Sequence, residues 1–250
     1  GLPAPLVLPL MAAAAAAAGT LWCLIPAALK LKFGTSETLV TLMMNYIAVK
    51  WVSYLQYGPW EDPRSKGFPR IAKFAQSAVL PKVFGIHIGW IIALVFVVLV
   101  YLLMSRTKLG YEISVLGENA NTAKYAGINI VKVALLSAVI SGGLCGLAGM
   151  VQASGVEHSL TDQLSGGLGY TSIITAWLAD LSAPAILVVS FFFAILLQGS
   201  SYIQSSMQIP AAVAEVLQGI IIFFVLASEF HTQYRFVRVR RAAGAEKEAQ

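Results

Sequence analysis

An all-α protein that crosses a membrane several times is predicted here by three features. Hydrophobic residues make up 58% of the 250 positions and charged residues only 12%, with a mean hydropathy of +0.75. The apolar residues are gathered into runs of about 20, the length a helix needs to span the hydrocarbon core. The basic residues fall mostly in the breaks between those runs. A soluble domain carries roughly 25% charge, and no single packed core could bury so much apolar surface. Lipid is therefore the natural solvent for an integral membrane protein of this kind. The formal net charge of +5 reads as membrane topology. Binding of nucleic acid would want a basic face on a folded domain, so none is expected.

About seven membrane segments follow in order. Residues 2–29 are the first; the alanine tract at 12–18 offers a small, smooth surface for close helix packing, and Lys30 and Lys32 end it. Residues 37–57 are the second and carry Asn45, Tyr46 and Lys50. The loop 58–85 is punctuated by Pro59, Pro63, Pro69 and Pro81. Within it Ile71, Phe74, Ala75 and Ala78 stand at helical spacing, which predicts one short amphipathic surface helix. Residues 86–104 are the cleanest span. Residues 106–132 form the longest polar run enclosed by two apolar segments. In 133–153, Ala134, Ala138, Gly142 and Gly146 recur every fourth residue, a stripe on which another helix can approach closely. Residues 154–169 are polar and glycine-rich; Glu157, His158 and Asp162 there could contact a partner, gate a pore or simply lie in solvent. Residues 170–181 are too short to span, which predicts a broken or re-entrant helix covered by protein or a cavity. Residues 184–202 and 210–228 each open with a proline where a missing N–H does no harm.

Charge bias sets the sides. Lys30 and Lys32, then Arg106, Lys108, Lys124 and Lys132, then the tail 229–250 with Arg235, Arg238, Arg240, Arg241 and Lys247, are all placed in the cytoplasm. The loop 58–85, with Arg64, Lys66, Arg70, Lys73 and Lys82, becomes extracytoplasmic, a smaller violation than the reverse orientation produces. The chain 1–250 then reads as one transmembrane domain that starts outside and ends inside. An unsignalled external N-terminus is awkward, so further helices are expected before Gly1.

Catalytic chemistry finds little purchase. The phosphate-loop pattern G-x-x-x-x-G-K-[ST] is absent, as are H-E-x-x-H and G-x-S-x-G. Ser165 and His158 are the nearest approach to a protease pair and lie in one polar loop. Cys23 and Cys145 sit inside apolar runs as small hydrophobes, with no disulfide framework and no metal-ligand spacing.

The run 106–132 is the most specific stretch. Asn119 is a good helix N-cap and Gly127 a good C-terminal stop. About seven residues lie between them, roughly 10 Å of helix. So short a helix is unstable alone in water and must dock on something. Ala120, Ala123 and Gly127 leave one face without bulk, on which a partner's backbone could sit. The same residues also fit an ordinary cytoplasmic loop.

Leu116-Gly117-Glu118-Asn119, with Ala123 and Ala126-Gly127-Ile128-Asn129, resembles the G-x-N-x-x-A-A-x-x-x-G-I signature of ABC importer permeases, in the branch for branched-chain amino acids, ribose-type sugars and nucleosides. Thr122 stands where that signature has its first alanine. The stretches 39–47, 160–170 and 210–219 resemble the nucleoside subgroup, so the likeness runs from about residue 21 to 241. One departure is Ala179-Asp180, where such permeases have glycine followed by glycine or arginine, which bears on the local turn. The resemblance implies a prokaryotic cytoplasmic-membrane permease subunit that is not itself an enzyme. Its coupling helix would be formed by Gly117, Glu118, Asn119, Ala120, Ala123, Lys124, Ala126, Gly127 and Ile128. It further implies a separate cytoplasmic ATPase holding ATP and Mg, a second permease subunit and an extracytoplasmic substrate-binding protein, with no cofactor, metal or catalytic residue in this chain.

Polar groups inside a membrane are functional candidates by default. Asn45 and Tyr46 supply the amide, hydroxyl and ring face that a nucleoside or sugar needs; an interhelical hydrogen bond fits them equally. Trp177 could line the pathway or fill a gap, and Gln198 stands at the end of a span. Sugar and branched-chain amino-acid permeases are the family alternatives. An ion-coupled secondary transporter would show a broken-helix pair in repeated halves, and only one broken helix is visible here.

Overall fold

A computed structural model describes residues 4–63, 69–83 and 85–208, together with residues 210, 213, 216, 219, 220, 223, 224 and 227. It is almost entirely helical and divides into two compact units, residues 1–170 and 171–250. The tail 229–250, Arg64 and Lys66 lie outside the described residues.

In the first unit, α1 (Ala4–Phe33) runs past Lys30 and Lys32, which occupy its last turn where the helix dipole favours cations. It stops at Gly34, whose φ of +66° closes the helix while its amide donates to the Lys30 carbonyl. A Lys30–Glu37 ion pair then bridges the turn into α2 (Glu37–Gln56).

α3 (Gly89–Arg106), α4 (Lys108–Glu118), α5 (Ala120–Tyr125) and α6 (Ile130–Gln152) follow, and α6 continues as a π-helical turn, Ala153–Glu157. α6 packs along α1, and this contact is the spine of the unit. The alanine tract and the small-residue stripe, each expected to allow close helix approach, meet one another. A Cβ at Gly142 would stand 2.6 Å from the Gly19 carbonyl oxygen and 2.9 Å from Thr20 Cα. One at Gly146 would stand 2.8 Å from the Ala15 carbonyl carbon. The backbones are close enough for Thr20 Oγ1 to donate to the Val139 carbonyl at 3.2 Å. Cys23 lies beside Gly142, while Cys145 is exposed and not enclosed.

The amphipathic helix expected within 58–85 does not form. Residues 72–75 are irregular, followed by a three-residue 3-10 turn, Gln76–Ala78, and a two-stranded hairpin, β1 (Lys82–Val83) with β2 (Ile86–His87). The physical reason is where the amides go. Glu61 bridges Ile71, the Phe74 amide donates to the His158 carbonyl and the Leu80 amide to the Ser154 carbonyl. Pairing with the loop after α6 satisfies the backbone groups that a helix would have used.

The second unit contains most of α7 (Leu168–Leu178) and α8 (Ala183–Met207). α7 has 11 residues, about 16 Å of rise, too short to span as expected. It ends through Asp180 and Leu181 at φ of 48° and 54°, a left-handed turn that favours glycine. The departure at Ala179-Asp180 therefore falls on a position where glycine is the easier residue. Pro184 sits in the free-amide first turn of α8. Val213, Val216, Gly219, Ile220, Phe223, Phe224 and Ala227 are helical.

Four helices among the described residues are long and apolar enough to cross a membrane: Pro5–Phe33, Gly89–Arg106, Ile130–Glu157 and Ala183–Met207. Many of their large side chains are exposed, among them Val95, Val98, Leu99 and Leu102 on α3. A soluble monomer does not leave so large an apolar surface to water, and lipid removes the penalty. Four of the expected seven segments are thus membrane-length and apolar among the described residues; α2 is long enough but less apolar, and most of 210–228 lies outside the described residues.

Candidate functional site

The polar run 106–132 folds as two short helices with a cap at each start. Thr107 Oγ1 accepts from the Gly110 amide at 3.1 Å to open α4. A Cβ at Gly110 would stand 2.6 Å from Met104 Cα, so the α3–α4 bend requires glycine. Leu109, Ile113 and Leu116, at i, i+4 and i+7, are half-buried on one side of α4. Sequence reading missed this helix, although Thr107 and that spacing were its signals.

α5 follows as expected. Asn119 Oδ1 accepts from the Asn121 amide at 2.8 Å and the Thr122 amide at 3.3 Å. Gly127, at φ +75°, ends it. The Gly127 amide donates to the Lys124 carbonyl and the Ile128 amide to the Ala123 carbonyl, at 3.1 and 3.0 Å. That pair of bonds is a Schellman closure. Asn129 Oδ1 then accepts from the Lys132 amide at 3.0 Å and caps α6.

The faces of α5 are divided differently from the sequence expectation. Ala123 is fully buried inside its own chain, where α4, α5 and α6 meet. Its lack of bulk thus seats the helix on its own subunit. Gly117, Glu118, Asn119, Ala120, Lys124, Ala126 and Gly127 are exposed and Ile128 is half-buried. The most prominent exposed residue is Tyr125, at 93%, which sequence reading passed over. An exposed aromatic on a docked helix is the type of side chain that anchors protein interfaces.

Of the pathway candidates, Asn45 and Tyr46 lie on α2 in the first unit, Trp177 and Gln198 on α7 and α8 in the second. Asn45 Nδ2 donates to Tyr170 Oη at 3.3 Å, so its amide makes the interhelical bond. Tyr46 is exposed. Trp177 is 66% exposed, and Gln198 is exposed.

Farther along α2, Ser53 Oγ donates to Asp162 Oδ2 at 3.5 Å, the Asp162 amide donates to Gln56 Oε1, and Gln56 Nε2 donates to the Pro69 carbonyl. His158 Nδ1 meets the Ser154 carbonyl at 3.1 Å. Asp162 and His158 are therefore engaged in tying loops to helices. Among the described residues, no group of three His, Cys, Asp or Glu side chains could hold a metal ion.

A family model described as branched-chain amino acid transport system, permease component, matches residues 2–226. A glucose ABC transporter permease of Haloferax volcanii is 33% identical over 94% of this chain and 65% of its own length. A guanosine ABC transporter permease of Bacillus subtilis is 32% identical over 90% of this chain and 66% of its own. A nucleoside ABC transporter permease of Lactococcus lactis is 28% identical over 90% of this chain and 64% of its own. The chain thus spans just under two thirds of the length of these relatives. No solved structure matches it. Four membrane-length helices and a family match over nearly the whole sequence agree: the chain belongs to the branched-chain amino acid transport system permease family and is a multi-pass protein of the prokaryotic cytoplasmic membrane.

Proposed function

We propose that this chain is the pathway-forming permease subunit of an ABC importer for nucleosides. The observation that carries this reading is α5: a six-residue helix capped at both ends, seated on its own chain through Ala123, presenting Tyr125 to the surface between two membrane-length helices. A cytoplasmic ATPase that closes on ATP would grip this face. The rigid α4–α5–α6 junction would pass the displacement into α6 and, through the glycine seam, into α1. The ATPase supplies all hydrolysis. Two permease halves meet two ATPase subunits, and an extracytoplasmic binding protein delivers the solute to the loops around residues 58–85 and 154–169.

In this reading α2, α7 and the segment 210–228 join the four apolar helices to give seven crossings, with 106–132 and the tail 229–250 cytoplasmic. Nucleosides as the solute are supported by the guanosine and nucleoside permeases among the relatives. A sugar is the second reading, favoured by the likeness to a glucose permease.

The test has two parts. Tyr125→Ala and Tyr125→Asp should lower co-purification of the ATPase and ATP-driven uptake together, by about tenfold or more for a lost anchor of 1.4 kcal/mol upward. Wild-type levels of both would remove α5 as the coupling element. Separately, uptake by the reconstituted transporter is measured across nucleosides, sugars and amino acids. Competition by ribose, glucose or leucine, but not by nucleosides, would sink the proposed substrate class.

A further inference from the structure

Beyond Gln152 the helical path of α6 continues with a change of pitch. Ala153–Glu157 is a π-turn, in which an amide pairs with the carbonyl five residues back and not four. The shift frees the Ser154 carbonyl from its α-helical partner, the amide of His158. Two other donors take its place. The Leu80 amide donates to that carbonyl at 3.1 Å, and His158 Nδ1, which can only donate to an oxygen of this kind, stands 3.1 Å from it. His158 leaves the helix at φ 55°, and its own carbonyl accepts from the Phe74 amide at 2.9 Å.

Segment 69–83 is thereby strapped to the end of α6. Leu80 is the buried anchor of the strap, at 4% exposure. Beside it, His87 of β2 is wedged between two glycines. A Cβ at Gly155 of the π-turn would stand 3.0 Å from His87 Nδ1 and 3.3 Å from Leu80 Cδ1. A Cβ at Gly89, the first residue of α3, would stand 2.7 Å from the same nitrogen. That nitrogen is buried and has no hydrogen-bond partner among the described residues. A buried polar atom without a partner disfavours the closed arrangement, and opening the wedge would let water reach it. Elsewhere the strap rests on other helices: its 3-10 turn packs on α1, and the Pro69 carbonyl accepts from Gln56 of α2.

We propose that the π-turn is a two-position latch for this strap, engaged in the present structure. In the other position residues 153–157 wind as α-helix, the Ser154 carbonyl takes the His158 amide, and the amides of Leu80 and Phe74 are released. A carbonyl has two lone pairs, and here the strap and the His158 ring occupy both. Helix continuation and strap attachment therefore exclude one another, which makes the element bistable. α6 begins at the α5 junction and runs 23 residues, roughly 35 Å, so the latch lies at the far end of the helix that would receive the ATPase stroke. The inference rests on the coupling role given to α5 above: displacement of α6 on ATP binding releases the strap.

Hydrogen exchange tests it on the complete transporter in nanodiscs, nucleotide-free and trapped with ATP and vanadate. Exchange at the Phe74 and Leu80 amides should rise at least tenfold on trapping. The Ala78 and Asp62 amides, bonded to Ala75 and Arg70 within the loop, should keep their rates. Gly155→Ala crowds the wedge and favours α-helix, so it should raise exchange at Leu80 without nucleotide while ATPase co-purification stays intact. Unchanged exchange at Phe74 and Leu80 in a trapped transporter that hydrolyses ATP overturns the latch and leaves the coupling role standing. A rise shared equally by Ala78 and Asp62 is general loosening of the loop and overturns it too. Wild-type ATPase assembly and uptake in the Tyr125 variants overturns the coupling role itself, and the ATP-driven latch with it.

Discussion

Gly142→Ala and Gly149→Ala add the same methyl group to the same helix seven residues apart, and the structure assigns them opposite outcomes. Gly149 has nothing within 4 Å of an added Cβ. There the substitution gains helix propensity alone, about 0.8–1 kcal/mol. At Gly142 the added Cβ would stand 2.6 Å from both the Gly19 carbonyl oxygen and Cys23 Cβ, and 2.9 Å from Thr20 Cα. Two of those three atoms are backbone, so no rotamer change relieves the overlap and α1 must move off α6. Overpacking of this kind costs about 1–3 kcal/mol, and separating the helices also stretches the Thr20–Val139 hydrogen bond, worth about 0.6 kcal/mol in a membrane. After the same propensity gain, Gly142→Ala should fall about 1.6–3.6 kcal/mol below Gly149→Ala. For a chain of this size that is roughly 3–14 °C in the midpoint of thermal unfolding, read in detergent or nanodiscs by loss of helical circular dichroism. Equal midpoints, or a higher one for Gly142→Ala, would refute the close α1–α6 seam.

Four further outcomes follow from the same geometry. Asn119→Ala removes two amide caps from α5 and should cost about 1 kcal/mol locally, read as faster hydrogen exchange at Asn121 and Thr122, while Asn119→Asp should retain protection. Gly127→Val places a β-branched residue at φ +75° and should cost about 1–2 kcal/mol, with ATPase assembly falling as α5 frays. Ala123→Leu should destabilise the isolated permease before any partner is added, because the side chain is enclosed by its own subunit; an effect seen only in the assembled complex would contradict that placement. Leu181→Gly relieves a left-handed residue and should raise stability by up to about 1 kcal/mol after the entropy cost of glycine, read as a higher unfolding midpoint.

Local chemistry accounts for what was legible in the sequence. Asn119 and Gly127 delimit α5 because an amide cap and a positive φ are properties of single residues and their neighbours. The small-residue stripe of α6 and the alanine tract of α1 were visible because close approach requires an absent side chain, which sequence shows directly. The surface helix read from Ile71, Phe74, Ala75 and Ala78 failed for the opposite reason. Its spacing is local, but the carbonyls of Ser154 and His158 that take its amides lie some 75–85 residues away. No periodicity within residues 58–85 could reveal them.

The same division holds for function. By itself the sequence determined the solvent, the helical class, the family motif and the ends of α5, since composition, run length and capping act through the chain's own neighbourhood. Only the tertiary structure decided that Ala123 turns inward while Tyr125 stands out, and that Asn45 is spent on Tyr170. Which face of a helix is taken depends on what other segments bring against it, and that is settled by packing between residues far apart in the chain.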